Sequence, residues 1–253
     1  MAGASEGIGR AFAEELARHG FSLVLAARRR APLESLANEL RTRHQREVRI
    51  VEVDLAQPDA IDVLARATAD LEPGLVVYNA AYSTQGDFLD RELGDHLRAI
   101  DLNCRGPLML AHHFGRAMRA RKRGGIILMS SMSGFQGTAM VACYAATKAF
   151  NTVLAEGLWD ELRGHGVDVL ACIAGATRTP TFESSMPADG GALARPMEAA
   201  QVAREALASL GGREPSVIPG GVNRVAAYAM RLLPRARAVS FISRATRRMY
   251  GAR

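Results

Sequence analysis

Tyr144 and Lys148 stand four residues apart, a short way after the serine pair Ser130-Ser131. On a helix, residues at that spacing share one face, one turn above the other. A helix from Val141 to Leu162 would therefore hold a phenol and an ammonium over the same spot. A phenol titrates near pH ~10, and an adjacent cation lowers that value by favouring the phenolate. Such a pair can deliver or accept a proton near neutrality. Lys122 and Lys148 are the only lysines among 32 cationic residues. A chain that otherwise uses arginine has thus placed a compact, rotatable donor one turn from a tyrosine, where a guanidinium would not serve. On spacing alone, Tyr-x-x-x-Lys also describes a surface lysine lying beside a half-buried tyrosine, so the rest of the chain must decide.

The elements that would position this pair alternate strand and helix. Short apolar runs at Phe21–Ala27, Val48–Val53, Gly74–Asn79, Gly125–Ser131, Val167–Ala174 and Ser216–Pro219 read as strands. Amphipathic stretches separate them: Ile8–His19, a helix from Pro32 with Leu33, Leu36, Ala37 and Leu40 inward, one from Pro58, and longer ones over 92–120, 141–163 and 198–210. This alternation predicts a single α/β domain over 1–253, a doubly wound, mostly parallel sheet with helices on both faces. The segment 177–196, rich in Thr, Ser, Pro and Gly, reads as a long irregular loop over a substrate. Composition agrees with a soluble protein: 48% apolar, 23% charged. Cys104, Cys143 and Cys172 sit in apolar stretches with no metal-ligand spacing and no disulfide framework, so no metal is expected and cytoplasm is the expected compartment.

The chain opens Met1-Ala2-Gly3-Ala4-Ser5-Glu6-Gly7-Ile8-Gly9 and runs into a helix. Glycines there let backbone N–H groups approach a pyrophosphate at the helix N-terminus. About twenty residues on, where a dinucleotide-binding unit reads the adenosine ribose, stand Ala27-Arg28-Arg29-Arg30. An acid would bond the ribose hydroxyls, whereas arginines suit a 2′-phosphate. The run points to NADP(H) over NAD(H), with Arg28 and beside it Arg29 as charge partners. A solvated charge run at a helix start is the other reading.

With these residues in place the chain resembles the short, single-domain branch of the short-chain dehydrogenase/reductase family, with a Rossmann-like fold, over nearly its whole length. Gly3, Ser5, Gly7, Ile8 and Gly9 match that family's nucleotide loop, and Asp54-Leu55 the pair flanking the adenine. Asn79-Ala80-Ala81 stands where the family has Asn-Ala-Gly along the coenzyme. Asn103-Cys104-Arg105-Gly106 matches Asn-x-x-Gly, and Ser131 lies thirteen residues before Tyr144 like the catalytic serine. Gly175 with Thr177 and Thr179 resembles the segment gripping the nicotinamide carboxamide. The resemblance implies hydride transfer between NADP(H) and a carbonyl or secondary alcohol. It makes Tyr144 the general acid/base, Lys148 its pKa-lowering partner and holder of the nicotinamide ribose, and Ser131 a donor to the substrate oxygen. Asn103 would hold a water linking Lys148 to solvent. A catalytically idle nucleotide-binding or scaffold protein on the same fold is the alternative.

The sequence departs from the family pattern chiefly at its start. The apolar strand that precedes the glycine loop is represented only by Met1 and Ala2, so the first central strand is expected to be missing, with the true start upstream or the chain truncated. Smaller departures are Glu6, where some NADP-using relatives are basic, Ala174 for proline, Ala81 for glycine and Tyr78 for asparagine. Met132, Phe135, Met140, Phe182 and Met186 would line an apolar substrate pocket or are ordinary core.

Net charge is +6, yet all eight cations beyond Glu214 are arginines with no acid among them, leaving residues 1–214 at 24 cations and 26 acids. A local basic surface follows, with no nucleic-acid partner. The tail 222–250 shows helical apolar spacing divided by Pro234, with arginines on the other face. It reads as basic amphipathic helices that cover the domain or the other subunit of a homo-oligomer, or that lie on an anionic membrane.

Overall fold

The apolar runs become parallel strands because helices cover both of their faces. The computed structural model describes residues 1–185 and 196–251. Its strands are β1 (Leu23–Ala27), β2 (Val48–Glu52), β3 (Leu75–Tyr78), β4 (Gly124–Ser131), β5 (Val167–Ala174), β6 (Thr177–Arg178), β7 (Met197–Glu198) and β8 (Ser216–Val217). Its α-helices are α1 (Gly7–Arg18), α2 (Arg30–His44), α3 (Ala60–Ala67), α4 (Leu93–Ile100), α5 (Gly106–Ala120), α6 (Ala142–Arg163), α7 (Pro180–Ser185), α8 (Ala199–Ser209), α9 (Gly221–Arg231) and α10 (Arg235–Tyr250). β1 pairs with β2, and β3-β4-β5-β8 form a second parallel run. Successive residues of β4 face opposite sides. Ile126 and Leu128 join Val169, Leu110 and Phe114 on the α3, α5 and α6 side. Ile127 and Met129 join Leu170, Phe12 and Val202 on the α1 and α8 side. Each fully buried Leu or Ile contributes roughly 1.5–3 kcal/mol.

As expected, no strand precedes the glycine loop, and at the centre of the sheet a single bridging residue stands in its place. Ala2 bridges Ala26 on one side and Tyr78 on the other, in parallel sense. The Ala2 amide donates to Val77 O at 2.9 Å, Gly3 to Ala26 O at 2.7 Å, and Asn79 to Ala2 O at 2.9 Å. Two residues are enough to join the halves into one doubly wound sheet, β2-β1-(Ala2)-β3-β4-β5-β8. Beyond Met1 a cavity of about 340 Å³, walled by Leu16, Phe21, Val24, Leu64, Val76 and Phe114 among others, separates the lower parts of β1 and β3.

The helix expected over 92–120 is wound differently in its middle. Asp101–Arg105 forms a π-helical turn between α4 and α5. Segment 177–196 is less irregular than expected: Thr177–Arg178 pairs with Met197–Glu198, and α7 follows Thr179. The remainder of that segment, with Met186, lies outside the described residues.

Candidate active site

The glycine loop is shaped by crowding. A Cβ on Gly9 would lie 1.9 Å from the Gly3 carbonyl oxygen. Gly7 has φ +58°, and a Cβ there would sit 2.9 Å from Cγ2 of Thr179. Thr179 therefore faces the loop at close range across the mouth of the crevice. The first turn of α1 holds no acid, and Glu6 at the N-cap gives no side-chain bond to it. Uncapped N–H groups at the start of a twelve-residue helix suit a pyrophosphate. Asn79 Nδ2 donates to Gly3 O at 2.9 Å, fixing the loop to the end of β3 beside Ala80. Ser5 and Ile8 lie half-buried along this loop.

At the far end of β1, Arg28 is exposed and its charge is felt by Asp54. Arg29 is ion-paired to Glu6 at 2.6 Å. Burial pushes the Asp54 carboxyl up, but hydrogen bonds from Arg98 at 2.9 Å and from the Ala56 amide leave it below its usual value. Leu55 does not line the crevice with its side chain. It is buried in the core that holds Val51, Ile61 and Leu64.

Strand alternation separates the two serines. Ser130 Oγ turns to α6, donating to Lys148 O at 2.7 Å and sharing a hydrogen bond with Thr152 Oγ1. Ser131 accepts from the Ser133 amide at 3.2 Å and its hydroxyl acts on the Tyr144 phenol, lowering its pKa. The structure thus brings Ser131 and Tyr144 into one site.

Lys148 is buried behind them. Its Nζ donates to Met129 O at 3.0 Å and stands 5.6 Å from the Tyr144 ring centroid. Burial pushes the ammonium down to about 8. Burial likewise pushes the Tyr144 phenol up to about 12; Ser131 lowers it and Tyr250 raises it. This corrects the expectation of a phenol acidified by Lys148. The ammonium meets the ring face and a backbone carbonyl, so desolvation of the hydroxyl prevails.

Asn103, fully buried in the π-helical turn, accepts from the Tyr82 amide at 2.8 Å and donates to Tyr82 O at 2.8 Å. It also donates to Thr147 Oγ1 at 3.0 Å, and that hydroxyl donates to Tyr144 O at 2.8 Å. Thr147 and Tyr82 carry no sequence signal for this role. Asn151, one turn after Lys148, is also new: its Nδ2 reaches Met129 O at 3.4 Å and its buried Oδ1 has no partner. Thr177 is buried, donating to Gly175 O at 3.0 Å, and Thr179 Oγ1 accepts from the Phe182 amide at 3.1 Å.

On the substrate side Met132 and Phe135 are half-buried against the core, and Met140 is buried with φ +67°. Thr246 and Ser243 of α10 bond Ala139 O and N, at 3.0 Å each. A cavity of about 480 Å³ opens beside Met140 and Tyr250, but its other walls, including Ser83, Gln85, Asp87 and Arg91, are polar. Of the residues expected to line a largely apolar pocket or to be ordinary core, Met140 borders this cavity, whereas Met132 and Phe135 pack against the core. No group of His, Cys, Asp or Glu among the described residues could hold a metal.

An uncapped glycine-rich helix start at the carboxyl end of a parallel sheet, facing a neighbouring Ser-Tyr pair, defines a dinucleotide-dependent oxidoreductase of the doubly wound class. Residues 1–189 match the short chain dehydrogenase family, and the chain belongs to it, as an NAD(P)-dependent enzyme acting on CH–OH groups. It is 34% identical over 222 residues to a 7beta-hydroxysteroid dehydrogenase of Clostridium sardiniense, covering 88% of this chain and 85% of that protein. A solved 7beta-hydroxysteroid dehydrogenase superposes with TM-score 0.90 at 31% identity, covering 95% and 94% of the two chains. A short-chain dehydrogenase from Sphingobium yanoikuyae in complex with NADPH superposes with TM-score 0.79 at 29% identity, covering 93% and 96%.

Proposed function

We propose that this enzyme is an NADP(H)-preferring reductase of a bulky, largely apolar ketone, steroid-like in size, and the dehydrogenase of the matching secondary alcohol. One observation carries the reading: the Ser131 hydroxyl lies near enough to the Tyr144 hydroxyl at the mouth of the nucleotide crevice to lower its pKa. A carbonyl oxygen placed between them would accept from both. Ser131 stabilises the charge that develops on that oxygen. Tyr144 delivers its phenolic proton to it as the carbonyl carbon takes up hydride. The nicotinamide coenzyme supplies the hydride when bound. In the oxidative direction Tyr144 takes the proton back, and hydride leaves the alcohol carbon.

Gly3, Gly7 and Gly9 with the start of α1 would hold the pyrophosphate. Asn79, Ala80, Thr177 and Thr179 would line the nicotinamide side, and Arg28 would meet a 2′-phosphate. Asn103 acts here by positioning Tyr144 through Thr147, its side chain being bonded on both ends to protein. Similarity to the hydroxysteroid dehydrogenases supports the substrate class, as do Met132 and Phe135 beside the Ser-Tyr pair. Leu93, Leu97, Ile100, Leu108 and Val153, all exposed apolar residues of α4, α5 and α6, support self-association through that face. The three free cysteines support a reducing, cytoplasmic setting.

The test is a panel of ketones and secondary alcohols, including oxo- and hydroxysteroids, followed by nicotinamide absorbance with NADPH and NADH. Reduction of a bulky ketone with kcat/KM roughly tenfold or more higher for NADPH is expected. Turnover of no carbonyl compound, or a preference for NADH, would overturn the proposal.

A further inference from the structure

The helix α9 turns its apolar stripe away from the protein. Asn223 and Ala227 face inward, and Asn223 donates to Pro219 O at 2.9 Å. Val222, Val225 and Leu232 are 78%, 71% and 87% exposed, and Tyr228 lies open with them. On α10, Ala238 and Ser243 face inward, while Arg237, Phe241, Arg244 and Arg248 follow one another at helical spacing on the outer side, all exposed. The expectation that the apolar residues of this tail cover the domain thus fails for α9.

Charge indicates what the surface fits. From residue 215 onward the chain has eight arginines and no Asp or Glu. Arg224 is paired to Glu205. Among the described residues Arg231, Arg235, Arg237, Arg244, Arg247 and Arg248 have no carboxylate partner. Arg231 lies over the rings of Phe135 and Tyr228, and Arg235 donates to Phe135 O, so cations also ring the substrate side. A symmetric contact between two copies through this face would set arginines against arginines. The exposed face on α4, α5 and α6, far less cationic, is better made for a second copy. No helix of the described residues is long and apolar enough to cross a membrane.

We propose that α9 and α10 form a docking surface for an anionic lipid bilayer, with Val222, Val225 and Leu232 entering the headgroup boundary and the α10 arginines meeting lipid phosphates. Ser243 and Thr246 tie α10 to the backbone of Ala139, next to Met140, so the docked face adjoins the substrate side. An apolar ketone dissolved in the bilayer would then have a short path to Ser131 and Tyr144.

Sedimentation of the full chain with vesicles of phosphatidylcholine, with and without phosphatidylglycerol, tests this without any turnover. Binding to the phosphatidylglycerol vesicles is expected, falling roughly tenfold or more in pure phosphatidylcholine or at high salt. The double variants Val225→Ser/Leu232→Ser and Arg237→Glu/Arg244→Glu should each lose a similar factor, with unchanged thermal melting and unchanged mass by sedimentation velocity. Absence of phosphatidylglycerol-dependent binding, or binding by either variant equal to that of the parent, would overturn the proposal. So would a change of assembly state in either variant, which would make the face a subunit contact.

Discussion

Lys148 Nζ is bonded to the Met129 carbonyl at 3.0 Å and meets Tyr144 at its ring face, 5.6 Å from the centroid. The ammonium is therefore held by the floor of the site, through the backbone of Met129. Two groups on one helix, Lys148 buried and Tyr144 half-buried, are pushed in opposite directions, Lys148 down to about 8 and Tyr144 up to about 12. Both changes favour the neutral forms, as desolvation requires.

Stability should report the lysine. Its folded pKa of about 8 lies below its unfolded value of 10.5, so between those pH values the unfolded chain binds more protons. This contribution to stability accordingly rises as pH climbs from 8 to 10.5, and the burial penalty is fully present below 8. Lys148→Met removes it. The variant should be more stable than the parent at pH 7, by roughly 3 kcal/mol. The advantage should shrink through that window, while activity is lost. Urea melts at several pH values measure it, and a variant less stable at pH 7 would contradict the account.

The phenol makes a directional prediction. A neutral Tyr144 is ready to donate, so ketone reduction should be flat across neutral pH. Alcohol oxidation requires the phenolate and should climb steadily through the alkaline range. Tyr144→Phe should lower kcat in both directions by roughly a thousandfold. Ser131→Ala should cost about a hundredfold. Coenzyme binding, read by fluorescence, should persist in both. Matching pH profiles for the two directions would count against Tyr144 as the proton carrier.

The proximity of the candidate site residues was legible in the sequence where their spacing is local. Tyr144 and Lys148 share a helix turn, Ser131 ends a strand, and the glycine loop is contiguous. What stayed hidden depends on contacts between distant segments. Thr147 looks like an ordinary helix residue until Asn103, forty-four positions away, donates to it. Asn151 becomes notable only because Met129 O lies within reach of two side chains. Leu55 was assigned to the crevice with Asp54, yet neighbouring residues leave the backbone in different directions and only Asp54 stays half-exposed. The shortness of the central strand position was legible at once, but not that Ala2 bridges both neighbours through its backbone alone.

Asn103 should prove structural as well as functional. Truncation to Ala would leave the Tyr82 amide and carbonyl and the Thr147 hydroxyl without their buried partner. The expected loss is about 3 kcal/mol in denaturant unfolding. Thr147→Val removes the Asn103–Thr147–Tyr144 O link but leaves both bonds of Asn103 to Tyr82, so it should lower kcat several-fold with a much smaller stability loss. Equal destabilisation by the two variants would show that Asn103 has no dominant role in the loop.

Coenzyme choice should turn on two arginines in different situations. Arg28 is exposed and has no ion-pair partner among the described residues, whereas Arg29 is held by Glu6 at 2.6 Å. Arg28→Ala should raise KM for NADPH roughly tenfold and leave NADH nearly unchanged, since only NADPH carries the 2′-phosphate. Glu6→Gln removes a carboxylate from the rim and frees Arg29 for the same phosphate, so it should lower KM for NADPH by several-fold. The exposed Arg29–Glu6 pair contributes little to stability, about 0–1 kcal/mol, so the melting temperature should barely move. Steady-state kinetics with both coenzymes distinguishes the two sites. If Glu6→Gln weakens NADPH binding, the pair is aligning Arg29 for the phosphate instead of withholding it.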